Sequence, residues 1–441
     1  MHTTLAVAIF VISYLFIISE KINKTIVAII GAALMLGCRL ITFEQAIEGV
    51  DFNVIFLLVG MMTCVFIVSK TGFFEWSAIS IAKASKGNPV TILLALIFTT
   101  AIFSAFLDNV TTIILLVPVT ILITQLLELP VVPFVVLEAI ASNIGGTATL
   151  IGDPPNIIIG SQGNLSFNDF IVNLAPAIGI ILIVFALTVY LIFGKMLKVP
   201  QSVRERVTKA EPALAIVDKK RMIRSLSILG LILLCFFLHS MLQVEPGVIA
   251  LAGSMLMMLV CNVESEEVLM KVEWAVIFFF IGLFMMISGL EHNGVIEWLS
   301  VNMLNIAGNN LFVLCMVVLI GSAVLSAVLD NIPFVITMVP LLKLCFPELA
   351  TQLGITDPAL IHQQIAAPLW WSLAMGACLG GNGTLIGASA NVVMSQICHR
   401  NKIHISFLKF TKYGAGFMLQ SVVLSGVYIW LRYFYMTSTG L

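Results

Sequence analysis

Charged side chains are scarce in this chain. Asp, Glu, Lys and Arg make up 10% of its 441 residues, against about 25% in soluble domains. With 60% apolar residues and a mean hydropathy of +1.10, too little polar surface remains to cover a water-soluble core, which excludes a soluble fold. The eight cysteines, at 38, 64, 235, 261, 315, 345, 378 and 398, include no close-spaced pair. A zinc site or disulfide framework is therefore not expected, and they read as buried small hydrophobes. No His-Glu-x-x-His spacing and no nucleophile with an adjacent base occurs, which argues against an enzyme. No Gly-Lys-Ser or Gly-Lys-Thr follows a glycine-rich stretch, which argues against a nucleotide cradle. The first apolar run, Leu5 to Ile18, lacks a preceding Lys or Arg and a following small-residue cleavage site, so it is expected to be a first span and not a removed signal peptide.

What is present is a duplication. Ser104-Ala105-Phe106-Leu107-Asp108-Asn109 recurs as Ser326-Ala327-Val328-Leu329-Asp330-Asn331, each time inside an apolar stretch where an acid is costly. Asp51 to Gly60 aligns with Glu273 to Gly282 at an offset of 222 (273 minus 51), the same offset that relates Asp108 to Asp330. Thr149-Leu150-Ile151-Gly152 returns as Thr384-Leu385-Ile386-Gly387 at an offset of 235. The second copy therefore carries 13 extra residues between its motifs (235 minus 222), and the polar stretch Phe346 to His362 is the expected place for them.

The basic residues set the orientation. Lys195 to Arg224 holds nine of the 22 Lys and Arg, including Lys198, against the three acids Glu205, Glu211 and Asp218, so this linker is expected in the cytoplasm. Spans are predicted near 3–19, 24–41, 52–69, 133–160 and 170–194, then near 225–242, 246–262, 274–290, 363–398 and 407–433. Hairpins are predicted near 90–127 and 312–345. Lys21, Lys24, Lys70, Lys83 and Lys86 then fall inside with His399-Arg400-Asn401-Lys402, while Glu44, Glu48 and Asp51 fall outside. Five spans is an odd number, so the repeats, 1–194 and 225–441, are inverted, as in secondary transporters. The expected fold is an all-α polytopic membrane protein of two inverted repeats, each with five transmembrane helices and one re-entrant hairpin, in the cell membrane with both termini extracytoplasmic.

Two further segments, around Phe73, Phe74, Trp76, Ile79 and Ile81 and around Val295, Ile296, Trp298, Leu299 and Leu304, mix apolar and charged residues and are expected to lie in the membrane interface. The 38 residues from Val90 to Leu127 could form two full spans or one hairpin turning at Asp108. A surface loop normally contains more polar residues, Gly or Pro than this break does, which favours the hairpin.

The most distinctive stretch is Ser142-Asn143-Ile144-Gly145-Gly146-Thr147-Ala148-Thr149-Leu150-Ile151-Gly152-Asp153-Pro154-Pro155-Asn156. Its glycines permit unusual backbone and its prolines remove two donors, so a helix crossing here must unwind. Unwound backbone at membrane depth is tolerated only where it is buried or lines a cavity. Freed carbonyls together with Ser142, Asn143, Gly145, Thr147, Thr149, Gly152, Asp153 and Asn156 form one candidate half-site. Asn382, Thr384, Gly387, Ser389 and Asn391 form the other, in which Ala388-Ser389-Ala390 replaces Asp153-Pro154-Pro155. The two halves are thus unequal, with the acid at 153 present once.

These blocks resemble the arsenite permease and P-protein family of the ion transporter superfamily, whose relatives include sodium/proton antiporters and divalent-anion/sodium symporters. The likeness covers essentially the whole chain, with Gly152-Asp153-Pro154-Pro155-Asn156 its most specific part. It implies a scaffold that usually dimerises and an elevator-like transport domain built from two opposed hairpins and two broken helices. Asp108, Asn109 and Thr111 would then sit at the cytoplasmic hairpin tip, with Asp330 and Asn331 at the outer one. Dicarboxylate symporters resemble Ser-Asn-Thr at these tips, so Asp108 makes dicarboxylate transport less expected.

Charge narrows the solute. Asp108, Asp153 and Asp330, with Glu138 one turn before Ser142, are the candidate proton carriers, and no Lys or Arg lies within the motif segments. An anion would meet only helix ends and amides, whereas carboxylates buried at membrane depth suit reversible protonation. His239, His292 and His362 fall near span ends and are read as interfacial. The expected function is cation-coupled secondary transport, foremost proton-coupled efflux of a small metalloid oxyacid such as arsenite. Sodium/proton antiport is the alternative in mechanism, and an anion transporter or channel the alternative in class. No cofactor is expected beyond a proton or sodium ion, and the expected partners are the lipid bilayer, the small inorganic solute and a second copy of the chain, with no nucleic acid.

Overall fold

A computed structural model describes residues 2–435 except positions 20, 196, 198, 308 and 309, and all regular elements among the described residues are helical. The first half comprises α1 (His2–Ser19), α2 (Lys24–Gly37), α3 (Phe52–Ser69), α4 (Phe73–Ala84), α5 (Pro89–Phe106), α6 (Asn109–Leu126), α7 (Val131–Gly146), α8 (Pro154–Gly163) and α9 (Ala175–Phe193). The second comprises α10 (Lys219–Leu242), α11 (Pro246–Cys261), α12 (Trp274–His292), α13 (Val295–Ala307), α14 (Leu311–Val328), α15 (Asn331–Leu353), α16 (Ala367–Gly380), α17 (Ser389–Arg400) and α18 (Phe407–Ile429). Ten helices among the described residues are long and apolar enough to cross a membrane.

Local chemistry explains the boundaries. Asn23, Asp51, Asn88, Asp108, Asp218, Asn310, Asp330 and Ser406 each cap a helix start with a side-chain oxygen, each such cap contributing about 1 kcal/mol. Helices cover the expected spans with shifts of a few residues, but the ten long apolar helices include both arms of each expected hairpin and leave out the shorter α2, α7 and α11. Two spans differ for a visible reason. α10 begins at Lys219 because Asp218 accepts from the Arg221 amide at 3.0 Å, so Lys219, Lys220, Arg221 and Arg224 lie on a helix and not in the linker. The span expected from 170 is interrupted at Leu174, where a short helix, Phe167–Asn173, gives way to α9 with Pro176 in its first turn.

The remaining linker is ordered against the first half. Val217 donates its amide to Thr71 O at 3.0 Å, and Lys83 Nζ donates to Ala210 O at 3.0 Å. Lys198 and the chain ends, Met1 and 436–441, lie outside the described residues. The aromatic residues of α4 face protein more than the lipid interface expected for them: Phe73 and Phe74 pack on Phe103 at 5.8 and 5.3 Å between ring centroids. Trp298 of α13 is exposed, as an interfacial side chain would be. The extra residues of the second half extend α15 to 23 residues against 18 in α6. They also add the turns Pro358–Ile361 and His362–Ala366 ahead of α16.

The halves interlock. α3 packs on α11 and α2 on α12, and glycines make the approach close. A Cβ at Gly60 would stand 2.4 Å from the Ala250 carbonyl carbon, and one at Gly282 would stand 2.7 Å from that of Ala28. The two contacts are related by the 222-residue offset. Around this frame α5 packs on α7 and α14 on α16, again through backbone contact, with Gly145 against Ala101 and Gly380 against Ala323.

Candidate functional site

Two helix pairs stop at mid-chain polar residues. Between α5 and α6 the chain turns at Leu107-Asp108, and Asp108 accepts from the Thr111 amide at 2.8 Å and from the Thr111 hydroxyl. Between α14 and α15 it turns at Leu329-Asp330, and Asp330 accepts from the Ile332 amide at 3.3 Å.

Facing these turns are the two unwound stretches, 147–153 between α7 and α8 and 384–388 after the short turn Gly381–Gly383. Helix interruption frees backbone carbonyls that lipid cannot satisfy, and one asparagine in each half takes them up. Asn156 Nδ2 donates to Thr149 O at 2.9 Å and Thr147 O at 3.1 Å, with Gly146 O at 3.4 Å. Asn391 Nδ2 donates to Gly381 O at 2.9 Å and Thr384 O at 3.0 Å. The same symmetry recurs in Ser104 Oγ to Ser142 O (2.7 Å) against Ser326 Oγ to Ala377 O (2.6 Å). It recurs again in the Thr149 hydroxyl donating to Ala105 O and the Thr384 hydroxyl donating to Ala327 O. Gly152 and Gly387 sit where a Cβ would meet the carbonyl oxygens of Gly146 and Gly381 at 2.5 and 2.8 Å.

An amide chain joins the halves. Asn109 Nδ2 donates to Asn143 Oδ1 at 3.2 Å, and Asn143 Nδ2 reaches Asn382 Oδ1 at 2.9 Å and Asn391 Oδ1 at 3.1 Å. Asn382 Nδ2 is buried without a hydrogen-bond partner.

A cavity of about 430 Å³ lies on the α1–α2 side of this core, and its mouth reaches the exposed Ile22 and Gln396. Of the sequence-derived candidates, Asp108, Asn109, Asp153, Asp330, Asn331 and Ser389 line it. Ser142, Asn143, Gly145, Thr147, Thr149, Gly152, Asn156, Asn382, Thr384, Gly387 and Asn391 do not. Of these, Thr149, Asn156, Thr384 and Asn391 bond to backbone carbonyls at or facing the breaks, while Asn143 and Asn382 belong to the amide chain between the halves. Thr111 acts through Asp108, as its cap partner. Glu138 is also outside the cavity: its Oε1 accepts from the Thr100 and Thr120 hydroxyls, both at 3.1 Å, while its Oε2 is buried without a partner. Glu138 is thus set apart from the three aspartates, bonded to α5 and α6 and not to the unwound stretch.

The three cavity aspartates are unequal. Asp108 and Asp330 each serve as helix caps. Asp153 stands at the start of α8 yet makes no cap bond, and only 1% of it is exposed. Asn331 Nδ2 lies 3.5 Å from both of its carboxylate oxygens.

Sequence reasoning missed a lysine. Lys24, at the start of α2, places Nζ 2.7 Å from Asp330 Oδ2 and 3.3 Å from Ser389 Oγ, and the expectation that no fixed cation meets the site is overturned. Glu273, capping position of α12, also lines the cavity. Its alignment with Asp51 was the available signal for Glu273; for Lys24, 306 residues away from its partner, the sequence carried none. On the far end of α3 a closed relay is found: Gln162 Nε2 donates to Asp51 Oδ2 at 2.7 Å and Lys343 Nζ to Gln162 Oε1 at 3.0 Å.

Comparison with known proteins places this geometry among transporters. Residues 14–376 match the family described as "Citrate transporter". A Mycobacterium tuberculosis protein named an uncharacterized transporter is 40% identical over 98% of this chain and 99% of its own length. The mouse P protein is 31% identical over 96% of this chain, which corresponds to 59% of that longer protein. The YdaH transporter of Alcanivorax borkumensis, titled as having an unusual topology, shares the fold with a TM-score of 0.55 and 13% identity, covering 90% of this chain and 88% of that one.

Proposed function

Because this chain belongs to the citrate transporter family, whose fold it carries as a multi-pass membrane transporter and not an enzyme, we propose that cation binding at the cavity carboxylates drives its solute movement. The observation that carries this reading is Asp153. A carboxylate removed from water without a paired charge is costly, by several kcal/mol even after relaxation, and this one performs no capping work that would explain it. A proton, or a sodium ion held with neighbouring carbonyls, removes that penalty. Each loading or unloading of Asp153 then changes the stability of the closed core, which is what coupling requires.

The finer reading is proton-coupled efflux of a small neutral oxyacid such as arsenous acid. Asp108, Asp153, Asp330 and Glu273 line the cavity against the single Lys24 among the named groups, and such a field favours protons and uncharged solutes over free anions. Asp108 and Asp330 act at the tips of two re-entrant hairpins, in opposed repeats that move elevator-fashion within a homodimer in the cell membrane. The cavity mouth faces the cytoplasm, on the side of Lys21 and Lys24.

Lys24 itself favours a second reading, a carboxylate anion carried with the cation, since an ammonium in the cavity wall offers the fixed positive charge that sequence reasoning found absent. Proteoliposomes separate the two. Arsenite counterflow driven by a pH gradient supports the first and citrate uptake driven by the same gradient the second. A sodium-dependent pH change with neither solute moving replaces both with sodium/proton antiport. Uncoupled chloride current would overturn coupled transport altogether.

A further inference from the structure

The two repeat-related turns are alike in backbone and unlike in charge. Asp108 is met by donors from Thr111 alone, whereas Asp330 receives Lys24 Nζ at 2.7 Å and Ser389 Oγ at 3.2 Å on one oxygen and the Ile332 amide on the other. Lys24 comes from α2, which packs on α12 of the opposite half. Asp330 belongs to the α14–α15 turn, which faces the unwound stretch before α17. The ion pair is therefore a tether between the interlocked frame and the tip.

We propose that Lys24 is a built-in competitor for the coupling cation at Asp330: its ammonium holds the carboxylate when no cation is bound and departs when one binds, so that loading the site and freeing the tip from α2 are one event. This rests on the reading of the cavity as a cation-coupled site. The groups facing the pair are Asp108, Asp153, Glu273, Tyr14 and Ser389, all lining the same cavity. Among the described residues that line the cavity, Lys24 is the one basic side chain. The lysine is able to leave. Its side chain is 35% exposed against 14% for Asp330, its stem is flexible, and the Phe279 ring, already 4.9 Å from Nζ in the paired state, is a neighbour the ammonium can keep while it leaves the carboxylate. A proton or sodium ion on Asp330 cancels the charge that holds the ammonium, so cation binding weakens the ion pair and the pair opposes cation binding.

The test is hydrogen exchange of the segment 328–333 in nanodiscs, for wild type, Lys24→Gln, Lys24→Arg and Asp330→Asn, across pH and with sodium or choline chloride. In the wild type, acidification or sodium lowers the protection of the tip, exchange being compared after correction for the intrinsic, base-catalysed amide rate at each pH. In Lys24→Gln exchange is fast under all conditions, and in Asp330→Asn it is equally fast although Lys24 is present. Lys24→Arg keeps the cation response. In transport, Lys24→Gln moves half-maximal cation dependence about tenfold toward lower cation concentration, one pH unit if the cation is a proton. If Lys24→Gln and Asp330→Asn both exchange like the wild type, with its cation response intact, the tether does not exist and the proposal falls. Asp330→Asn, nearly isosteric, keeps the test open should Lys24→Gln fail to fold. The exchange readout needs no solute, so loss of the tether is distinguishable from failure of the transport reading, which the flux arms report separately.

Discussion

Replacing Asn156 with Ala removes one carboxamide from beneath the first unwound stretch. Its two N–H groups serve Thr149 O at 2.9 Å and Thr147 O at 3.1 Å, and the residue has no exposed surface. A buried acceptor left without a partner costs about 1–3 kcal/mol, so two of them put the loss at roughly 2–6 kcal/mol. Asn391→Ala strips Gly381 O and Thr384 O in the same way, and each variant also removes an acceptor, from Asn143 for Asn391 and from the Cys378 thiol for Asn156, so the two losses should be comparable. Asn168 supplies the control. It is exposed and its Nδ2 bonds to Phe237 O at 3.0 Å, a contact water can replace, so Asn168→Ala should lose no more than about 1 kcal/mol. Unfolding in mixed micelles of rising SDS fraction, followed by tryptophan fluorescence, ranks the three. Asn156→Ala and Asn391→Ala unfolding alongside Asn168→Ala would mean that the freed carbonyls are satisfied by something else, and the account of how the helix breaks are held would be wrong.

Three further outcomes follow from the same geometry. Gly60→Ala places a methyl 2.4 Å from the Ala250 carbonyl carbon and should destabilise the interlocked frame by about 1–3 kcal/mol, while Gly179→Ala, with nothing within 4 Å, should be neutral or mildly stabilising in its helix; the same SDS titration reads both. Glu138→Gln keeps an acceptor for Thr100 and Thr120 and lies outside the cavity, so cation-driven flux in proteoliposomes should persist, and a shifted coupling dependence would return Glu138 to the transport path. Gln162→Ala cuts the relay between Asp51 and Lys343 and should raise labelling of this face by a membrane-impermeant amine reagent at Lys343; unchanged labelling would show the relay does not close it.

Much of this architecture was legible because duplication leaves marks that hydropathy cannot blur. The offsets of 222 and 235 reappear as paired contacts, Gly60 on Ala250 beside Gly282 on Ala28 and Asn156 beside Asn391, since a repeated backbone geometry demands the same small residue or amide in both copies. The acids of the site were legible for a related reason: an aspartate in an apolar run has few structural excuses. Which of the singled-out polar residues face the cavity was not legible. Asn143, Thr147 and Asn382 look as ligand-like in sequence as Asn109 and Asn331, and only the fold puts the former outside the cavity lining. Lys24 was hidden by its own plausibility, because a lysine at a span end satisfies the positive-inside bias and needs no other role. Glu138 misled in the opposite way, as the two threonines that bond to it lie 38 and 18 residues away in sequence.

The central claim is that the coupling cation binds among the cavity carboxylates, with Asp153 one of the groups that takes it up. Infrared difference spectroscopy of the reconstituted protein tests it most directly, by following the carboxylic-acid carbonyl bands as pH or sodium is changed in wild type and Asp153→Asn. The account expects a band that titrates in the wild type, diminishes when sodium is the coupling ion and is added, and is missing from Asp153→Asn. The same full set of titrating bands in both proteins would contradict it.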